Sequence, residues 1–182
     1  NLDRLAKGGV RYETAWSTPI CTPTRVTLLT GQYPFRHGWT THYDVPRQGG
    51  GGLRPDRFTT FARVLRDNGY STVIGGKWQV NHLGKQPNAL KEHGFDEHCV
   101  WPGAEAGKPE TEPRYWKGFL QANGKRGTAA YGPYSINEYL INFIQRHKDR
   151  PFLVYYPMLL AHDPHTLTPF NREKKPEGKT AL

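Results

Sequence analysis

The most constraining feature of this sequence is the run Phe152-Leu153-Val154-Tyr155-Tyr156, five apolar residues with no polar alternation. A strand apolar on both faces must be covered on both faces, which is the pattern of a parallel strand between two helical layers. Upstream of it, Ile136, Tyr139, Leu140, Phe143 and Ile144 recur at helical spacing, with Ser135 and Glu138 as a capping box and Arg150-Pro151 as the stop. A second unit of the same kind precedes it. Thr60 through Asn68 predicts a helix burying Phe61, Val64 and Leu65 and ending at Gly69. Ser71 to Ile74 then predicts a short buried strand, broken by Gly75-Gly76 before Lys77-Trp78. Helix–strand–helix–strand alternation argues for an α/β sheet with helices on both faces. Such folds place their chemistry in loops at strand C-terminal ends, and FLVYY runs into one, the polar loop Ala161-His162-Asp163-Pro164-His165.

The remaining segments are read more coarsely. Asn1 can cap a short helix holding Leu2, Leu5 and Ala6, closed at Gly8-Gly9, and Val10, Tyr12 and Ala15 alternate as a strand would. In CTPTRVTLLTG, residues 21–31, Thr22 is an N-cap candidate, Pro23 suits the first turn, Val26, Leu28 and Leu29 give an apolar side, and Gly31 gives a stop. The run Gly49 to Gly52 reads as a surface excursion, with backbone packed against a ligand as the alternative. Residues 80–134 carry no clear period. The two cysteines, Cys21 and Cys99, form no disulfide framework. No run of eighteen apolar residues exists, so no membrane span is expected. The formal net charge of +9 could attract nucleic acid or an acidic small substrate. Its basic residues are scattered, with short runs only at Lys125-Arg126, His147 to Arg150 and Arg172 to Lys175, which argues against a nucleic-acid partner.

Cys21 is the key position. Placed just outside a helix N-terminus, a thiol is favoured as thiolate by unpaired backbone N–H groups. Arg25 lies one turn along the same face, and its planar fork suits a tetrahedral oxyanion. Together they describe an anion pocket with a potential nucleophile at its mouth.

The stretch CTPTRVTLLTG closely resembles the sulfatase signature: Cys or Ser, any residue, Pro, any residue, Arg, then a short segment ending in Thr-Gly. NLDRLAKGGVRYETAW before it, GQYPFRHG after it, FARVLRDNGYSTVIGGKW and FIQRHKDRPFLVYYPMLLAHDPH are also similar to type I sulfatases, with residues 97–130 the weakest part. The resemblance implies an alkaline phosphatase-like mixed, mostly parallel sheet flanked by helices. It implies that the cysteine matching Cys21 is converted to Cα-formylglycine by a formylglycine-generating enzyme. The hydrated aldehyde then attacks the sulfur of a sulfate ester, and its second hydroxyl helps expel sulfate. Arg25 resembles the arginine that steadies the formylglycine, and Lys77 the lysine that contacts sulfate oxygens. His162 resembles the histidine that protonates, or donates a hydrogen bond to, the leaving alcohol, with His165 as a second candidate. The implied substrate is a sulfated small molecule or glycan, and the implied location is the periplasm, the lysosome or outside the cell.

Two departures from the family pattern matter. The family has histidine as the base where this chain has Gln79, and glutamine cannot take a proton near neutral pH. His82 is one candidate substitute. The family also holds one divalent cation, usually Ca2+, on an N-terminal Asp-Asp pair and a downstream Asp-Asn pair. Cys21, as formylglycine, is the one metal ligand expected from this chain, because Asp3, Asp44, Asp56 and Asp163 are scattered. Residues 1–182 therefore read as the N-terminal part of a catalytic domain, an interior fragment lacking the first strand and the C-terminal portion, with little activity or stability alone. Two alternatives stand beside sulfate ester hydrolysis. One is a phosphonate or phosphate ester hydrolase of the same superfamily, and the other is a degenerate sulfated-glycan-binding homologue without turnover. His37 reads as structural. Trp39, His42, Tyr43, Trp101 and Trp116 are candidates for a substrate-facing rim.

Overall fold

The computed structural model describes residues 1–42, 51–105 and 108–172. Strands β1 (Ser71–Lys77), β2 (Glu97–Trp101), β3 (Trp116–Ala122), β4 (Lys125–Tyr131) and β5 (Phe152–Tyr155) form one sheet. Its order is β4-β3-β2-β1-β5. β1 runs parallel to β2 and to β5, with Val73 opposite both Glu97 and Val154, and the β3–β4 hairpin extends the sheet antiparallel from β2. The helices are α1 (Leu2–Lys7), α2 (Cys21–Thr30), α3 (Pro34–His37), α4 (Phe61–Asp67), α5 (Ala89–Glu92), α6 (Gly132–His147) and α7 (Pro169–Arg172).

The two-residue period of the strands sorts their side chains into two cores. Ile74, Val100, Leu153 and Tyr155 face Val26 and Leu29 of α2, Ala62 of α4 and Leu90 of α5. Val73, Cys99, Trp101, Phe152 and Val154 face Ile136, Leu140 and Phe143 of α6. This is the covered sheet that FLVYY demands, with helices on both faces. β1, between β2 and β5, carries no polar side chain larger than threonine until Lys77, its last residue.

Several local expectations are corrected. Val10 to Ala15 forms no strand, and Val10 and Tyr12 are exposed. α2 begins at Cys21 itself with Ile20 as N-cap, so Thr22 sits buried inside the first turn with its hydroxyl unpartnered. Leu28 and Val64 are exposed, while Leu29 is buried as expected and Ala62 is the buried residue of α4. β1 continues through Gly75-Gly76 to Lys77 rather than breaking. Gly75 is glycine because Leu140 of α6 lies 2.8 Å from where its Cβ would be. Gly76 is glycine because its φ of 122° and the carbonyl of Pro157 leave no space for a side chain. α6 starts at Gly132 with Pro133 in its first turn, three residues before the expected capping box, so Ser135 and Glu138 lie within the helix. Of the glycine run, Gly49 and Gly50 lie outside the described residues, while Gly52 packs against the side chains of Asn81 and Gln86. Residues 80–134, unreadable by period, hold α5, β2 and the β3–β4 hairpin.

Two buried histidines make the fold acid-sensitive. His93 is fully buried and hydrogen-bonds the Leu53 carbonyl at 3.0 Å, and His98 accepts the Gly124 N–H at 3.3 Å. Burial pushes both down to about 4. The unfolded chain therefore binds protons that the folded chain refuses once pH falls below the ordinary histidine range. Stability should drop by roughly 2 kcal/mol per histidine between pH 7 and 5, as the pH dependence of urea midpoints would show. His98→Gln should flatten that slope. Gly75→Ala should cost about 1–3 kcal/mol through overpacking on Leu140, and less when combined with Leu140→Ala than the two single changes summed.

Candidate active site

The site is built where the N-terminus of α2 meets the C-terminal end of β1. Arg25, one turn into α2, donates from Nη1 to the Lys77 carbonyl at 2.7 Å and so ties the helix to the strand end. The loop before α2 is folded back on the helix by Thr24, whose Oγ1 accepts the Thr18 N–H at 3.1 Å. No side chain caps the helix. Its first N–H groups are therefore left facing the surroundings of Cys21.

Three side chains converge on Cys21 Sγ. Lys77 Nζ donates to it at 3.4 Å, the thiol approaches Gln79 Oε1 at 3.5 Å, and His42 Nδ1 stands at 3.8 Å. Lys77 is only 3% exposed, and no carboxylate pairs with it among the described residues. Burial lowers its pKa; the Cys21 sulfur opposes that shift, and the nearby Arg25 and Arg114 guanidiniums add to it. Burial likewise lowers Arg25, offset by Tyr155 and Cys21. Buried Lys77 and part-buried Arg25, with no carboxylate paired to either among the described residues, lie beside open helix N–H groups, an arrangement suited to an anion. Gln79 is itself buried, held with φ of 58° in the left-handed region.

His162 belongs to the loop after β5, as expected, and Arg114 connects it to the rest. Arg114 Nη1 meets His162 Nδ1 at 2.8 Å, and its guanidinium lies 4.2 Å over the Trp101 ring. Lys77 Nζ stands 5.7 Å over the same ring. Cys21, Arg25 and Lys77 are thus brought together directly, and His162 joins them through Arg114 and Trp101. His165 is exposed.

Other expectations change. His82 accepts the Lys85 N–H at 3.2 Å within its own loop, so the imidazole beside Cys21 is His42 instead. His37 is structural: its two ring nitrogens meet Thr27 Oγ1 at 3.1 Å and the Trp39 N–H at 3.0 Å, which anchors the loop leading to His42. Trp101 is no rim residue; it is 1% exposed with its N–H donated to the Thr111 carbonyl. Trp39 packs on one core and Trp116 on the other, and Tyr43 lies outside the described residues. Sequence reasoning missed Arg114 altogether. It lies in a stretch without period, and nothing but the fold brings it to His162.

Among the described residues no three His, Cys, Asp or Glu side chains converge. Asp56 is engaged by Arg54 and Asp163 lies against His162. These residues do not by themselves fit a calcium site, and no step below runs through a metal.

The sulfatase family model matches residues 1–181. The chain belongs to the sulfatase family. It is 34% identical to an N-acetylgalactosamine-6-sulfatase of Canis lupus familiaris over 90% of its own length and 35% of that protein's. It is 45% identical to a steryl-sulfatase of Homo sapiens over 53% of its length and 18% of that protein's. The PsFucS1 sulfatase from Pseudoalteromonas sp. superposes with a TM-score of 0.68 at 20% identity, over 95% of this chain and 40% of that one, a likeness of fold. The chain thus spans about a third or less of the length of these curated relatives. Family and fold agree with the alkaline phosphatase-like, formylglycine-dependent sulfatase class. Cys21 and Cys99 stand in the structure as thiols.

A buried cation without a carboxylate is a strained choice for stability alone. Lys77→Met should raise the urea midpoint, by about 1 kcal/mol or more in stability. Sulfate ion should stabilise the parent chain against heat and lose that effect in Lys77→Met.

Proposed function

We propose that this chain supplies the anion-binding side of a sulfate ester hydrolase whose nucleophile derives from Cys21. The observation that carries the reading is the convergence of Lys77 and Gln79 on Cys21 Sγ at the start of α2, with Arg25 braced behind it. Formylglycine formed from Cys21 by a formylglycine-generating enzyme would supply a hydrated aldehyde as nucleophile. Calcium, implied by the family, would need further oxygen ligands from outside the described residues.

The chain's own residues then have separable tasks. Lys77 meets the charge on the transferring sulfuryl oxygens, where a fixed cation in a buried site acts most strongly. Arg25 holds the strand end that carries Lys77 and adds positive charge. His162 donates toward the leaving alcohol oxygen. Gln79 can orient a hydroxyl but not accept its proton. His42, the imidazole at Cys21, is the acceptor within reach. A sulfate ester of an alcohol is the chemistry shared by the names N-acetylgalactosamine-6-sulfatase and steryl-sulfatase. We extend that class, and no single substrate, to this chain, acting outside the cytoplasm as the family does.

Gln79 favours a second reading, in which sulfate is accepted but not released. Both are tested on the full-length protein co-produced with a formylglycine-generating enzyme, with conversion checked by the mass of the Cys21 peptide. Sustained sulfate release from an aryl sulfate, lost in Cys21→Ala and down about a hundredfold or more in Lys77→Met, is expected. His42→Gln should keep the first equivalent of phenol and slow later turnovers. Phenol limited to one equivalent in the parent enzyme would establish the second reading instead. Faster hydrolysis of the matching aryl phosphonate would overturn the assignment to sulfate.

A further inference from the structure

Arg114 is a cation with little reason to be where it is for stability. Its Nε is buried without a hydrogen-bond partner, and it pairs with no carboxylate among the described residues. Its one side-chain hydrogen bond among them goes to a histidine ring. Yet its position is tightly specified. The carbonyl of Arg114 fills the space where Gly132 would carry a Cβ and lies 3.0 Å from the corresponding point at Gly118. The Gly132 N–H bonds the next carbonyl, that of Tyr115, at 2.8 Å. Residues 114 and 115 are thus clamped between β3 and the first turn of α6.

From that clamp both side chains reach the loop that carries His162. The Tyr115 hydroxyl bonds the Leu159 carbonyl at 2.9 Å and the His162 carbonyl at 2.5 Å. Trp116, the next residue, donates its indole N–H to the Leu167 carbonyl at 2.8 Å. The guanidinium of Arg114 is held over Trp101, whose own N–H is fixed to the Thr111 carbonyl, and from there it meets His162 Nδ1 at 2.8 Å.

A guanidinium has N–H donors and no acceptor, and it keeps its proton. A ring nitrogen facing it at that distance must present a lone pair. In a neutral imidazole the proton is then on Nε2. Asp163 asks for the opposite arrangement, because its carbonyl and its Oδ1 each lie 2.8 Å from the same Nδ1 and can only accept. The Asp163 side chain is 80% exposed, so water satisfies its oxygens readily, whereas Arg114 is held against Trp101.

We propose that Arg114 is a positioning residue that selects the Nε2–H tautomer of His162, so that this ring offers a hydrogen-bond donor to the leaving oxygen. The leaving-oxygen part rests on the sulfate ester hydrolase reading above; the tautomer part does not. Without Arg114, Asp163 draws the proton to Nδ1, and Nε2 becomes an acceptor with nothing to donate.

The test has two arms on the full-length protein. In the first, the ring nitrogens of His162 are assigned by ¹⁵N NMR, with His162→Gln identifying the signals. The parent should show Nδ1 unprotonated and Nε2 protonated. Arg114→Met, which keeps a chain of similar length over Trp101, should move the proton to Nδ1, and Arg114→Lys, which restores a donor, should return it to Nε2. A proton on Nδ1 in the parent, or the same tautomer in all three, overturns the proposal. In the second arm, aryl sulfates of increasing leaving-group pKa are compared. Arg114→Met should lose about tenfold to hundredfold more kcat on the poorest leaving group than on the best. Equal loss across the series would make Arg114 merely structural. An inactive parent enzyme with the expected tautomers would sink the hydrolase reading and leave the tautomer assignment standing.

Discussion

The interaction on which the site depends is the hydrogen bond from Arg25 to the Lys77 carbonyl. It joins the first turn of α2 to the last residue of β1. Cys21 comes with the helix and Lys77 with the strand, so one bond sets the distance between the Cys21 sulfur and the Lys77 ammonium. A charge-assisted hydrogen bond of this kind contributes about 1.5–3 kcal/mol, enough to hold the buried Lys77 and the part-buried Arg25 near each other when desolvation favours neither. The two cores on either side of the sheet supply the rest of the stability. A site whose positive charge meets no carboxylate among the described residues is built at the rim of an apolar sandwich that can carry its cost.

Trp101 extends the same logic to the second strand. It is buried, fixed by its own N–H, and presents its face to both Lys77 and Arg114. Two cations over one indole repel each other, and the ring's negative face is what makes their proximity tolerable. Through Arg114 this arrangement reaches the loop after β5. The ends of β1, β2 and β5, parallel neighbours, thereby contribute Lys77, Trp101 and the His162 loop to one edge of the sheet, where open α/β sheets place their sites.

Legibility in the sequence tracked how local the physical cause was. FLVYY, the amphipathic run of α6 and the stop at Gly31 announce themselves, because periodicity and a left-handed C-cap are properties of neighbouring residues. The signature around Cys21, with Lys77 and His162, was legible as a motif. The break expected at Gly75-Gly76 did not occur, because those glycines answer Leu140 and Pro157 across space and not a turn within the strand. The capping box at Ser135 lost to Pro133, which starts the helix a turn earlier. On paper His82 was the candidate substitute and His42 a rim residue. His37, anchored to Thr27, holds the loop that brings the second of them to Cys21.

The sequence by itself determined the α/β class, the two-sided burial of its central strands, the family signature at Cys21 and the loss of a histidine at position 79. The first two follow from composition and spacing, which act within a few residues; the signature and the departure at Gln79 come from the resemblance to a family. Only the tertiary structure decided that Trp101 is a buried platform and not a rim, that His42 stands at Cys21, and that Arg114 meets His162. Each of those depends on side chains far apart in the chain meeting at one sheet edge. A guanidinium has no periodic signature by which such a meeting could be read in advance.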